Sequence, residues 1–486
     1  MIIMNSKKIR DITNLVSCQV FLDKHSMDIY SVDASSYIVK PLVVVIPENE
    51  QDIISILKYA SKNKISVTVR GAGTGLVGSA LGKGIILDLK NFNMMRIGQN
   101  FAEVGAGVFK GDLDDELEKK GRFFAPNPSI GPHCTVCGMV ATNASGSRSL
   151  KYGSTIDNLL GVRIITSNGH IVTLPSDSKF SKKIFELIKP DLQKKFPEVS
   201  KNSCGYRLDT IKTISDLHKI IAASEGTLGI ITSVKLKTLP IPYKRMLLVL
   251  SYKTIRQAAL DTPKIVKLKP SALEIIDHTI AKHIKTRLAK SPNCILFVEF
   301  DNKLDKCKKN LLEIISNAQI VKILTNDSEI KKWWDFRNSA LSYSLKSITT
   351  KESLPTIIED ATVPVEKLII LVDIIDKISK KYNMRFVLYG HAGSGNLHIR
   401  PILKGKNKKM IRNIAKEFFS QVIATGGSIT GEHGDGLARS EFVKLQYGNN
   451  VYSSFKKIKH KFDPKNILNP DKIITSKHTM TENLKI

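Results

Sequence analysis

The sequence predicts an α+β protein of two lobes, the second carrying an antiparallel sheet. Three observations predict it. After residue 40 the chain opens on a strand–helix–strand unit. Pro240 and Pro242 then mark a boundary. Beyond them, up to residue 403, β-branched strands alternate with amphipathic helices.

Residues 1–40 read as a polar, helical segment with a loop at Asp33–Ser36. Val43–Ile46 is a short β-branched strand stopped by Pro47. Glu50–Asn63 places Ile53, Ile54, Ile56, Leu57 and Ala60 at a helical period, and Ile65–Val69 returns as a strand. The loop Arg70-Gly71-Ala72-Gly73-Thr74-Gly75 follows that strand, where a backbone stripped of side chains can turn its N–H groups onto an anion. Its third glycine falls one residue early for a dinucleotide fingerprint. Strand Ile85–Leu89 follows in place of a helix, which excludes a nicotinamide site of that type. Gly105-Ala106-Gly107-Val108 opens a helix running to Lys120. Phe124–Ser129 contains two prolines and reads as a rigid turn. Gly138–Gly146 is a run of small residues, the kind that a ligand or tight packing requires. Val162–Thr166 and His170–Leu174 form a hairpin around Asn168-Gly169. Ser224–Ile231 is a further glycine-rich turn entering a strand.

In the second lobe, Met246–Leu250, Cys294–Phe300 and Phe386–Tyr389 read as strands and Val365–Lys380 as a helix. Arg385–Tyr389 and Leu397–Leu403 flank a glycine-rich turn bracketed by His391 and His398. A two-residue turn at Ser394-Gly395 sets His391 directly opposite His398, with Cβ atoms about 4.5–5.5 Å apart. Two imidazoles so placed can share one ion, and Glu432, in Gly431-Glu432-His433-Gly434, supplies a carboxylate. Two histidines and a carboxylate leave a divalent ion with open positions for a substrate. A plain cross-strand histidine pair is the alternative.

Hydrophobic residues make up 42% and charged residues 24%, an ordinary globular balance. No apolar run reaches the length of about 18 residues that a membrane span needs. The first ten residues are too short in apolar character for a secretory signal, so the cytoplasm is expected. The net charge of +29 attracts anionic surfaces. The lysine runs lack interleaved aromatics, so no nucleic acid is expected, whereas an acidic partner or peripheral contact with the inner face of an anionic membrane stays open. One Cys134-x-x-Cys137 pair cannot hold an iron–sulfur cluster, and the six cysteines read as reduced structural thiols.

Taken in order, the segments RGAGTGLVG, MVATNASGSRSLKYG, SEGTLGIIT, WWDFR, GHAGSGNLH, GEHGDGLARSE and FDPKNILNP resemble one family. It is the FAD-linked oxidase and dehydrogenase group of the vanillyl-alcohol oxidase, or PCMH-type FAD-binding, fold. The match is to its D-lactate dehydrogenase, glycolate oxidase flavin-subunit and D-2-hydroxyglutarate dehydrogenase branch, over residues 43–473. The resemblance implies a PCMH-type FAD-binding domain at 41–242, a cap or substrate domain at 243–428, a segment at 429–475 returning to the FAD domain, and a flexible tail at 476–486. It implies FAD contacts at Arg70, Gly71, Ala72, Gly73, Thr74 and Gly75. Further contacts are implied at Pro128, Gly138, Asn143, Ser145 and Gly146, and at Tyr152, Gly153, Glu225, Gly229 and Ile230. His391, His398 and Glu432 resemble divalent-metal ligands, with zinc expected and iron or manganese suited to the same set. His433 resembles the catalytic base, Arg337 the substrate carboxylate clamp and Asn396 a neighbour of the same site. Two departures stand out: Cys137 occupies a position where the family usually has glycine, and Ser394 one where many members carry an acid.

The implied activity is FAD-dependent oxidation of a D-2-hydroxy acid, of the D-lactate or glycolate type, to the 2-oxo acid. A metal lowers the hydroxyl pKa, His433 takes the proton and the flavin takes hydride. Electrons are then expected to pass to a separate iron–sulfur subunit, a quinone or an electron-transfer flavoprotein. The alternative is a flavoenzyme like alkyl-dihydroxyacetone-phosphate synthase, without net redox.

Overall fold

The computed structural model describes residues 11–284, 293–346, 348–405, 407–475 and 477–485. Among the described residues the first lobe holds two main sheets and a two-stranded pairing of Arg122–Phe123 with Leu239–Pro240. Val43–Ile46 is buried along its whole length and pairs in parallel with Ile85–Asp88, which pairs in parallel with Val67–Arg70. A strand buried on both faces reads as an unbroken apolar run, which is why Val-Val-Val-Ile shows no alternation. The helix Glu50–Asn63 is capped by Asn49, whose side chain accepts from Gln51 and Asp52 N–H, and it ends on Lys64 at φ 53°. It buries Ile53, Ile56, Leu57 and Ala60. The second sheet is antiparallel. Its order is Met95–Ile97, Phe101–Gly105, Ile230–Lys237, Leu159–Ile165, Ile171–Leu174, and its last pair is the hairpin read around Asn168-Gly169. The helix expected to open at Gly105 starts later, at Lys110, because Phe101–Gly105 is drawn into this sheet.

The second lobe is one antiparallel sheet. Met246–Tyr252, Cys294–Phe300, Ala272–Asp277, Arg385–His391 and Asn396–Lys404 are successive neighbours. Its two faces are both covered. Leu273, Ile275, Leu296 and Val298 join the main core, while Ala272, Ile276, Ile295 and Phe297 join a second cluster with Trp334 and Ala340. Val387, Tyr389 and Ile402 lie on that second face.

The chain then returns to the first lobe. The helix Gly436–Phe462 is bent at Gly448, and the segment after it lays Leu468 parallel to Val67, with Asn469 N–H donating to Val67 O at 2.8 Å. Two expectations are corrected at the termini. Within the segment read as helical, Gln19–Phe21 is a strand, because Val43–Ile46 offers it an open edge. The expected flexible tail is packed: Met480 and Leu484 are buried, and the Tyr37 hydroxyl donates to Met480 O at 2.6 Å.

Candidate active site

A cleft enclosing about 1620 Å³, its mouth included, runs between the lobes. One end is the loop Arg70–Gly75; the other holds Tyr389, His398, Arg400, Glu432 and His433. Among the described residues no acceptor takes the backbone N–H groups of residues 71–76. An array of unsatisfied N–H groups on a glycine-rich turn suits an anion such as a pyrophosphate. The approach is close by construction: Gly73 sits at φ 69°, and a Cβ there would lie 2.4 Å from the Arg70 guanidinium. Small residues of the helix Val136–Thr142 and of the turn beyond its C-cap floor the cleft, with Gly138, Ala141, Ala144 and Ser145 on the wall. This cleft, lined at its glycine-rich loop by Gly71, Ala72, Gly73 and Gly75 beside the cation of Arg70, fits an extended nucleotide cofactor.

At the other end three imidazoles converge on one oxygen. Glu432 Oε1 lies 2.9 Å from His391 Nε2, 3.4 Å from His398 Nε2 and 3.8 Å from His433 Nε2. Asp360, His398, Glu432 and His433 each offer a ligand atom within 4.8 Å of the others. Ligands bound at about 2.1 Å around a tetrahedral ion stand roughly 3.4 Å apart, so these spacings match the edges of a coordination shell. Among the described residues the buried Nδ1 of His398 has no hydrogen-bond partner. Burial, foremost, pushes His398 down to about 4, which keeps it in the neutral, ligating form. Burial opposes ionisation of Glu432 too, but His391 and Lys201 outweigh it and hold the carboxyl well below its ordinary range. Lys201 Nζ lies 2.8 Å from Glu432 Oε2, and the Ser145 hydroxyl donates to the same oxygen at 2.5 Å. Behind His391, Glu274 Oε1 engages Nδ1 at 2.8 Å and pairs with Arg337 through its other oxygen. A carboxylate behind a histidine fixes its tautomer and raises its basicity, as around metal centres. The donor set therefore suits a borderline divalent ion.

The loop that carries Glu432 is held from below. Asp360 Oδ2 accepts from the Thr430 hydroxyl and from the N–H groups of Gly431, Glu432 and His433, at 2.6 to 3.0 Å. His433 Nδ1 meets Glu359 Oε1 at 3.2 Å, which leaves Nε2 turned toward the cluster. Burial disfavours the His433 imidazolium, yet Asp360 and Glu359 overcome it and raise its pKa.

The expected geometry of the histidine hairpin is corrected. The connection is four residues, Ala392–Gly395, with a 3₁₀ turn over Ala392–Ser394, so His391 faces Asn396 and His398 faces Tyr389. Parity survives the shift of register, and the two imidazoles still share a face with ring centroids 5.2 Å apart. Of the residues expected at the cofactor, Arg70 to Gly75, Pro128, Gly138, Ser145, Glu225 and Gly229 line the cleft. Five do not. Asn143 turns inward to bind Ile156 N–H and Asn202 O. Gly146 packs on Asn127 O. Tyr152 donates to Asp301, and Gly153 lies against Asp157. Ile230 is replaced on the wall by Ile231, its neighbour of opposite facing. Arg337 is 1% exposed behind Tyr389 and Glu274, and the Asn396 amide nitrogen donates to Asp360 Oδ1 and Ala361 O; neither residue lines the cleft wall. The residues missed are Lys201, Glu359, Asp360, Tyr389 and Arg400. For Tyr389 and Arg400 a signal existed, since strand residues two apart from a functional histidine share its face.

Comparisons with known proteins agree with this geometry. Residues 41–175 match the FAD binding domain family and residues 241–473 the family described as FAD linked oxidases, C-terminal domain. The glycolate oxidase subunit GlcD of Bacillus subtilis (strain 168) is 30% identical over 465 residues, covering 92% of each chain. The D-lactate dehydrogenase of Anaerostipes hadrus is 28% identical, covering 89% of this chain and 90% of that one. A solved alkyldihydroxyacetonephosphate synthase superposes with a TM-score of 0.68 at 16% identity, over 96% of this chain and 85% of that one, a likeness of fold. With a PCMH-type FAD-binding lobe, an antiparallel cap and these relatives, the chain belongs to the FAD-linked oxidases and is an FAD-dependent oxidoreductase of the group that includes glycolate oxidase subunit GlcD and D-lactate dehydrogenase.

Proposed function

We propose that this chain oxidises a small D-2-hydroxy acid, of the D-lactate or glycolate type, to the 2-oxo acid. One observation carries the reading: the nitrogens of three imidazoles meet at one oxygen of Glu432, and Glu432, His398 and His433 line the same cleft as the Arg70–Gly75 loop. When bound, FAD supplies a hydride acceptor and a divalent ion supplies Lewis acidity toward the substrate hydroxyl. His398 and Glu432 would hold the ion together with His391, which touches Glu432 Oε1, while His433 and Asp360 belong to the same cluster of possible ligand atoms. Arg70 to Gly75, Gly138, Ser145, Glu225 and Gly229 hold the FAD.

His433 receives the hydroxyl proton at Nε2. Its Nδ1 is engaged by Glu359, so the neutral tautomer keeps its lone pair on the substrate side. The stacking of His433 on His398, with centroids 4.9 Å apart and planes 7° from parallel, fixes the ring in that pose. Lys201 and Ser145 keep Glu432 oriented. Arg337, expected as the carboxylate clamp, instead braces Glu274 against His391, and Asn396 braces Asp360 under the Glu432 loop. Electrons then leave for an iron–sulfur subunit, a quinone or an electron-transfer flavoprotein. Among the described residues no helix is long and apolar enough to cross a membrane.

The test is anaerobic. Protein reconstituted with FAD is mixed with a panel of 2-hydroxy acids while flavin absorbance is followed, and the same sample is assayed for metal. D-lactate or glycolate is expected to bleach the flavin, a chelator to slow it, and His433→Gln to slow it about 10²- to 10⁴-fold with FAD retained. FAD-loaded, metal-loaded protein that no 2-hydroxy acid reduces would overturn the reading in favour of flavin chemistry without net redox.

A further inference from the structure

We infer that Arg400 is the residue that reads the substrate's carboxylate, an inference that rests on the 2-hydroxy acid reading of the same site. A carboxylate entering this cleft needs a cation on the wall. Arg337 is shut behind Glu274 and Tyr389, whereas Arg400 lines the chamber with Tyr389, His398 and His433. Its side chain is 3% exposed, so it is part of the wall and no solvent-swept surface arginine.

The guanidinium is held rigidly from two sides. Nε donates to the Tyr389 hydroxyl at 3.1 Å, and Nη2 lies 3.0 Å from Glu359 Oε2. Among the described residues no acceptor engages Nη1. A preorganised guanidinium with an edge to spare is the group that best matches a carboxylate, because the ordering of its side chain is already complete before the ligand arrives.

Glu359 sets the distance between this cation and the base. Its Oε2 meets Arg400 and its Oε1 meets His433 Nδ1 at 3.2 Å, so one carboxylate spans the two groups. Arg400 and His433 line the same chamber and share Glu359, so one small ligand can present its hydroxyl to the base and its carboxylate to the cation, as a 2-hydroxy acid would. Glu359 does not repel such a ligand strongly. It is fully buried and flanked by the guanidiniums of Arg400 and Arg439, which offset its negative charge. The near wall adds Leu341 and the Tyr389 ring, which leaves an apolar niche for a short substituent.

A structural arginine that only neutralises Glu359 would make a different prediction, and binding measurements separate the two. FAD- and metal-loaded wild type, R400M, R400K and R337M are titrated anaerobically with D-lactate, and separately with pyruvate through its perturbation of the flavin spectrum. For R400M the concentration of D-lactate giving half-maximal reduction should rise about 10- to 100-fold, pyruvate should weaken in parallel, and the limiting rate should change less. R400K should fall between, keeping the charge without the fork. FAD and metal content should match wild type in both. R337M should instead lose metal, through Glu274 and His391. Equal affinities in wild type and R400M would overturn the assignment while leaving the hydroxy-acid reading intact. So would an affinity loss confined to metal-replete R337M. A wild type that binds neither D-lactate nor pyruvate would overturn both. Should R400M fail to retain FAD, R400K decides alone: affinity equal to wild type with the fork removed counts against the assignment.

Discussion

At Glu225 a single buried carboxyl links cofactor cleft to helix. Its oxygens accept from Asp435 and Gly436 N–H at 2.6 and 2.9 Å, at the start of Gly436–Phe462, and it lines the cleft. Burial, and then the charge of Asp435, pushes Glu225 up to about 8. A carboxyl whose pKa rises on folding binds its proton more tightly in the folded state. The stability it contributes is full below the ordinary carboxylate range and is lost as pH rises toward 8. Glu225→Gln cannot titrate. Between pH 5 and 8 the wild type should therefore lose stability relative to the variant, by at most about 1.4 kcal/mol per pH unit for one proton. Thermal unfolding of both proteins across that range reads it; a difference constant with pH would refute the shared account of burial and Asp435. The residue scale is also where the sequence was least legible. Lys201, Glu359 and Asp360 reach their partners across 231, 74 and 72 positions of chain, and no local spacing signals such contacts. Arg400 was legible, two positions past His398 on an alternating strand.

The elements were read more fully, because each writes its own period. Glu50–Asn63 and Cys294–Phe300 stand where their apolar patterns place them. The hairpin that carries His391 and His398 was misread by its turn alone. A two-residue loop was assumed, and the chain uses four. Side chains alternate, so a shift of two residues in pairing kept both histidines on one face. The true turn predicts its own sensitivity. Gly395 has φ 64°, and a Cβ there would lie 2.0 Å from Val363 O. Gly121 has the same φ and nothing within 4 Å of an added Cβ. Gly121→Ala should cost only the left-handed penalty, about 1 kcal/mol, whereas Gly395→Ala should cost more and displace His398. Thermal midpoints and metal content of the two variants check this. Equal losses, with metal retained in both, would show that the Val363 contact is relieved at no cost.

Across the whole molecule, the cleft wall is shared: Ser145 and Glu225 come from the first lobe, Tyr389 and Arg400 from the second, and Glu432 from the returning segment. A ligand filling that wall should stabilise both lobes together. FAD at a hundredfold excess over its Kd should raise stability by about 2.7 kcal/mol in a single calorimetric transition. Two transitions, only one of which moves with FAD, would show that the lobes melt independently. The architecture was legible as two lobes with an antiparallel second sheet, since strand patterns survive without knowledge of their partners. The return of residues 429–475 to the first lobe was read only through the family resemblance, because nothing in Asp463–Pro470 names the strand it joins, and the packing of Met480 and Leu484 was not read at all.

That closure orders events during synthesis. Leu468 seats against Val67, and Lys459 is clasped by Thr227 O and Asp463. A ribosome must therefore deliver Leu468 before the lobe begun first can be finished, while the intervening cap can settle earlier. Until then the nascent first lobe has to wait with the edge at Val67 uncovered.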